Sequence, residues 1–315
     1  MGKRLEGKVA VVTGAGRGLG RAEALALAAE GAEVVVNDLG AATDGSGASK
    51  SPAEEVVQEI KKLGGQAVAN YDSVTTSDGG ENIIKTAVDN FGRIDILVNN
   101  AGILRDRMIF NMTEEEWDAV IKVHLYGHFH CTRPACAQFR QQKGGRIINT
   151  SSASGLGQMG QANYSAAKEG IVGFTRTVAR DMGKYGVTCN AIRPGAVTRL
   201  SVTPETREAW ERSKAEGLSK AGVPEGMEKL TPESVAQFVV FLATDEAANI
   251  NGCTFDVYNA AMIGGPIGIG IYSEPIIARS IHKDGMWTVD ELIDIVPKTL
   301  TLGLVNPAPP QPPKV

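Results

Sequence analysis

Thr13-Gly14-Ala15-Gly16-Arg17-Gly18-Leu19-Gly20 stands between two apolar segments of different period. Before it, Lys8 to Thr13 is a short run suited to a strand buried on both faces. After it, Gly18 to Glu30 reads as an Ala- and Leu-rich helix stopped by Gly31. A glycine turn from strand into helix suits a bound phosphate. Gly14 permits the tight turn, Gly18 lets backbone approach a pyrophosphate at the positive helix end, and Gly20 lets helix pack closely on strand. The next apolar run, Glu33 to Asp38, ends in an acid 18 residues beyond Gly20. A carboxylate there accepts from the ribose hydroxyls of an adenosine and repels a 2′-phosphate. Arg17 offers the opposite hint, a cation for that phosphate. The acid outweighs it, because an unpaired like charge in a closed pocket is costly. The expected cofactor is therefore NAD.

The same alternation continues along the chain. Helices are predicted at 52–63, 78–91, 113–142, 163–185 and 232–244, and strands at 66–70, 94–98, 145–150, 187–193 and 253–257. Strands alternating with helices imply βαβ units with right-handed crossovers, hence an α/β, doubly wound parallel sheet of the Rossmann-like kind. Residues 1–257 are expected to form this dinucleotide-binding domain. Residues 258–315 read as a C-terminal extension, with a short helix at 289–296 and a Pro-rich tail that can form neither helix nor central strand. Two further stretches break the rhythm. One is the Gly/Ser/Ala loop Leu39 to Ser51; the other is the charged segment 196–230, whose composition suits a lid over the substrate. Asp72 and Ser73, after the third strand, are placed to meet the adenine.

Composition narrows the classes. There are 37 glycines in 315 residues but only 14 prolines and no repeat, which points to tight turns and close backbone contacts. Lys and Arg total 32 against 36 Asp and Glu, a net charge of −4, which argues against nucleic acid or an anionic membrane as partner. No apolar run reaches the length of a membrane span, and no signal core precedes the first strand. The four cysteines form no CxxC pair. Reduced thiols, a cytoplasmic location and no metal are expected.

The chemistry lies further on. Tyr164 and Lys168 are four apart at the start of a helix, so they share a face. Ser151 precedes Tyr164 by thirteen residues, at the end of the fifth strand. A phenol is a poor base at neutral pH, but a neighbouring ammonium favours its ionised form. A serine hydroxyl can hold a substrate oxygen beside it. The set suits proton removal from an alcohol.

With the glycine loop, Asn99-Asn100-Ala101-Gly102, Ser151, Tyr164-Ser165-Ala166-Ala167-Lys168 and Arg193-Pro194-Gly195, residues 5–257 resemble the short-chain dehydrogenase/reductase family. The resemblance implies catalytic Ser151, Tyr164 and Lys168, with Lys168 also holding the nicotinamide ribose. It sets Gly14, Arg17, Gly18, Leu19, Gly20, Asn99, Ala101, Gly102, Pro194, Gly195 and Val197 around the cofactor. His124 stands where most members carry Asn, and is implied to hold a water in the proton relay behind the lysine. A narrower resemblance, over residues 5–195, is to the (3R)-hydroxyacyl-CoA dehydrogenase domains of type 2 multifunctional enzymes, which also carry His there. It implies NAD-dependent oxidation of a (3R)-3-hydroxyacyl-CoA, with a steroid side chain among the acyl groups it allows. The alternatives are a 17β-hydroxysteroid dehydrogenase on free steroids and a non-catalytic NAD-binding regulator. It further implies a homo-oligomer, dimer or tetramer, and a separate enoyl-CoA hydratase in the same pathway. Leu156, Met159 and Gln161 are expected on the substrate side, and Arg105, Arg107 and Arg199 near the cleft rims.

Overall fold

The computed structural model describes residues 4–198, 208, 230–258, 268–272, 295 and 298. Its chain divides into two units, Met1–Tyr272 and Ser273–Val315, and the sheet lies in the first. Arg199, nearly all of the charged segment read as a lid, the helix read at 289–296 and the Pro-rich tail lie outside the described residues.

Among the described residues, seven strands run parallel: β1 (Val9–Thr13), β2 (Glu33–Asn37), β3 (Ala67–Asn70), β4 (Ile96–Asn99), β5 (Gly145–Thr150), β6 (Val187–Pro194) and β7 (Thr254–Val257). They lie in the order β3-β2-β1-β4-β5-β6-β7. The valines of β1 and β2 are buried on both faces, the pattern a parallel sheet covered by helices demands. On one face pack α1 (Gly18–Ala29), α2 (Ser51–Lys62) and α7 (Pro232–Ala243). On the other pack α3 (Ser77–Phe91), α5 (Gly127–Gln142) and α6 (Ala162–Met182). Strand order reverses between β1 and β4. Loops leaving those two strands diverge, and a crevice opens at their carboxyl ends.

Two features depart from the sequence reading. The helix expected over 113–142 is α4 (Glu114–Ile121), a π-helical turn at Lys122–Tyr126, and then α5. A capping box starts it: Glu116 N–H donates to the Thr113 hydroxyl at 3.2 Å, and Thr113 N–H to the Glu116 carboxylate at 3.0 Å. The π turn widens the helix where His124 must point inward, a frequent device at functional sites. The second feature is an eighth strand. β8 (Ile269–Ile271) pairs antiparallel with β7, so the sheet continues past residue 257 into the stretch read as an extension. Among the described residues, no helix is long and apolar enough to cross a membrane.

Candidate active site

The crevice is a cavity of about 390 Å³ whose walls include Gly14, Arg17, Gly18, Leu19, Asp38, Ser73, Ala101 and Gly102. Gly14 holds φ +64°, and a Cβ there would sit 2.8 Å from Ala101 Cα, so the turn needs glycine. Helix α1 starts with no side-chain cap and no acid in its first turn. Among the described residues, no side chain caps its leading N–H groups at the cleft, which suits a pyrophosphate. Asp38 is fixed by two backbone donors, Gly16 N–H at 2.7 Å and Gly40 N–H at 2.6 Å. Each oxygen keeps a lone pair for a ribose hydroxyl. The residues present thus fit a dinucleotide with an unphosphorylated ribose.

Other expected cofactor residues lie behind the cavity wall. Gly20 is packed beneath the loop, where a Cβ would strike Asn100 and Gly14. Asn99 is buried in the sheet, donating to Thr132 at 3.0 Å and Asn149 at 2.9 Å. Asp72 turns away, its carboxylate accepting from Asn70 at 2.8 Å and Asn82 at 3.3 Å, and Ser73 and Val74 line the cavity in its place. Pro194, Gly195 and Val197 stand on the β6 side, Gly195 N–H bonded to Val257 and Val197 N–H to Leu230, both at 2.8 Å.

The loop after β2 roofs this cleft, a role its Gly/Ser/Ala composition does not announce. Thr43 C=O accepts Leu104 N–H at 3.0 Å, Asp44 C=O accepts Arg105 Nε at 2.9 Å, and Ala41 C=O accepts Arg17 at 3.5 Å. The loop thereby reaches across to the segment after β4, and Ala41, Ala42 and Gly45 join the lining.

Tyr164 packs with Ile103, Val120 and Ala167, and Ile103 also lines the cleft, so the phenol adjoins its inner end. The Lys168 ammonium lies 5.4 Å from the Tyr164 ring centroid and donates to Thr150 C=O at 2.5 Å. Burial pulls that ammonium down to about 7. Burial pushes the Tyr164 phenol up to about 12; the Ser152 hydroxyl acts against this, and the Asp106 charge adds to it. Asn163 positions the phenol's backbone. Its side chain accepts Tyr164 N–H at 2.7 Å and donates at 3.0 Å to both Arg105 C=O and Glu116 C=O.

The structure corrects the serine. Ser151 still belongs to the ladder, its N–H donating to Ile192 C=O at 2.8 Å. Its hydroxyl is 1% exposed and donates to Lys168 C=O at 2.7 Å, so it is committed to the helix backbone. Successive side chains along an extended chain point to opposite sides. The next residue, Ser152, therefore faces the phenol, and its hydroxyl also caps the following turn by accepting Ser154 N–H at 3.1 Å.

His124 meets the Tyr164 ring edge-on, with centroids 5.0 Å apart. Its Nε2 lies 2.8 Å from Ile103 C=O and 3.1 Å from Ile103 N–H, and Nδ1 is buried with no partner. Burial holds the ring well below the usual histidine range, with the Lys168 charge adding to this, so the imidazole is neutral. The ring fills the space a side chain at Gly102 would need: a Cβ there would sit 2.5 Å from His124 Cε1.

A family model described as short chain dehydrogenase matches residues 8–211. The chain belongs to the short-chain dehydrogenase family. It is 51% identical over 248 residues to a putative short-chain type dehydrogenase/reductase of Mycobacterium tuberculosis, covering 78% of this chain and 80% of that one. It is 43% identical over 298 residues to the hydroxyacyl-CoA dehydrogenase ChsB1 of the same organism, covering 91% and 87%. Against the peroxisomal multifunctional enzyme type 2 of Mus musculus it is 48% identical over 263 residues, 83% of this chain but 33% of that protein. The chain thus matches about a third of that longer enzyme. A crystal structure of a short chain dehydrogenase from Mycobacterium avium superposes with a TM-score of 0.76 at 43% identity, covering 98% of each chain. As a short-chain dehydrogenase, the chain is an oxidoreductase with a Rossmann-like sheet.

Proposed function

We propose that this short-chain dehydrogenase uses NAD to oxidise the secondary alcohol of a (3R)-3-hydroxyacyl-CoA to the 3-ketone. The observation that carries the reading is the meeting of Ser152, Tyr164 and Lys168 at the inner end of a cleft that also presents Asp38. The likeness to proteins named hydroxyacyl-CoA dehydrogenase and multifunctional enzyme type 2 supports the substrate class.

Bound NAD would accept the hydride from the carbinol carbon, and its positive ring would favour the phenolate. Ser152 donates to the substrate oxygen and fixes it beside Tyr164. Tyr164 takes the hydroxyl proton as the C–O double bond forms. Lys168, held by Thr150, stabilises the phenolate and passes the proton on. The unpartnered Nδ1 of His124 would hold the water that carries it outward.

NAD reduction is compared on a 3-hydroxyacyl-CoA, its hydrolysed acid and a free steroid alcohol. Preference for the thioester supports the reading; equal efficiency on the free steroid overturns the CoA assignment. Ser152→Ala is expected to lower kcat about 10²-fold, the scale of losing one donor to the reacting oxygen. Ser151→Ala is expected to cost about 1 kcal/mol of stability and keep most of the turnover. A large kcat loss in Ser151→Ala alone would reverse that assignment. Asp38→Asn removes the charge that opposes a 2′-phosphate, and the NAD-over-NADP ratio of kcat/KM is expected to fall at least about tenfold. An unchanged ratio would show that discrimination resides elsewhere.

A further inference from the structure

Among the described residues, Arg193 is the largest side chain that the core encloses completely, with 0% of its surface exposed. A guanidinium taken out of water is costly unless charge and geometry compensate it. Its Nη2 donates to Glu169 at 2.8 Å. Its guanidinium carbon lies 4.2 Å from the centroid of the Tyr272 ring, within cation–π range. Tyr272 directly follows β8. Its N–H donates to Thr254 C=O at 2.9 Å and its hydroxyl lies 3.4 Å from Asp256, so the ring is pinned to β7. Glu169 is the residue after Lys168 on α6. Its carboxylate also fills the space over Gly155, where a Cβ would sit 2.8 Å from Oε2. Gly155 belongs to the turn Ala153–Leu156 that Ser152 caps.

One buried cation therefore touches the catalytic helix on one side and the residue just after β8 on the other, and leaves β6 beside Pro194 and Gly195. We propose that Tyr272, Arg193 and Glu169 form a positioning tie through which β8 holds α6 and the Ser152 turn in register. The proposal rests on reading the site as a dehydrogenase, and it gives the strand beyond residue 257 a part in catalysis. Arg and Lys are not equivalent here. Only the planar guanidinium can lie on the ring and reach the carboxylate at once.

The test uses the full chain with Tyr272→Leu and Tyr272→Phe, assayed with NAD and a 3-hydroxyacyl-CoA below the melting temperature of each variant. Tyr272→Leu is expected to lower kcat about 10–100-fold, the scale of small misplacements of reacting groups, with KM for NAD within about twofold of wild type. Tyr272→Phe keeps the ring and is expected to restore kcat to within about threefold. Amide hydrogen exchange supplies a readout independent of turnover. Residues 153–156 and 166–170 are expected to exchange faster in Tyr272→Leu, while those of α1 keep their protection. Unchanged kcat and exchange in Tyr272→Leu overturn the tie, as does uniform loosening of all elements, which would mark a general loss of stability. Absence of turnover in the wild type counts against the functional reading alone, and the exchange pattern still decides the tie.

Discussion

Tyr164→Phe is expected to lower turnover of a secondary alcohol by about 10²–10⁴-fold, the range for loss of a general base. Dinucleotide affinity should barely change, because the phenol stands at the inner end of the cleft and outside the loop that would hold the pyrophosphate. Fluorescence titration with NADH and steady-state rates on one preparation separate the two effects. The wild type should also show a rate of oxidation that rises with pH. Burial pushes the phenol up to about 12, so the basic form is scarce at neutral pH and grows as pH rises. Lys168 has been pulled to about 7, so above that pH its stabilising charge declines and the rise is expected to flatten. Tyr164→Phe should abolish the rising limb. Full turnover in the variant would remove Tyr164 from the mechanism.

The second large effect concerns stability. Glu23 lies on the inner face of α1, 0% exposed, and neither carboxylate oxygen has a partner. Burial pushes the carboxyl up to about 8, so the folded chain keeps a proton that the unfolded chain releases near 4.5. Between those values the folded state binds more protons than the unfolded one, and stability falls as pH rises. By pH 7 the loss amounts to about 3 kcal/mol. Glu23→Met removes both the charge and the unpaired polar atoms at similar volume. It is expected to raise the melting temperature at pH 7–8 by about 5–10 °C and to flatten the pH slope between 5 and 8. Glu23→Gln should flatten the slope with a smaller gain, because a buried amide without partners carries its own cost. An unchanged slope in both variants would mean that Glu23 ionises freely in the folded chain.

Most of the sheet was legible because each strand is a short apolar run followed by a helix-period segment. Tyr164 and Lys168 were legible because four-residue spacing fixes their common face. Asp38 was legible from its place at the end of the second strand. The serine was not, since counting back from Tyr164 cannot say which of two adjacent hydroxyls follows the ladder and which turns toward the phenol. β8 is hard to read because the Ile/Gly alternation over 267–271 follows Gly264-Gly265-Pro266, and glycine inside a strand gives a weak signal. The π turn leaves no mark either, as Lys122–Tyr126 carries no breaker and its spacing fits an ordinary helix. Glu23 shares a face with Gly20, Ala24 and Leu27, so its burial is written in the spacing, while the lack of a partner is not.

The roof over the cofactor cleft is fastened through main-chain carbonyls of Ala41, Thr43 and Asp44. Acceptors of that kind belong to every amino acid. The roof is therefore inherited as a length, a path and a few glycines, since Gly40, Gly45 and Gly47 hold positive φ and a Cβ at Gly40 would strike Ser49 C=O. Replacement of the loop's other residues one at a time should leave the cover in place, whereas Gly40→Ala or trimming two or three residues should lift it off. Among relatives, the span between β2 and α2 would be the better marker of a covered cofactor than any motif within it.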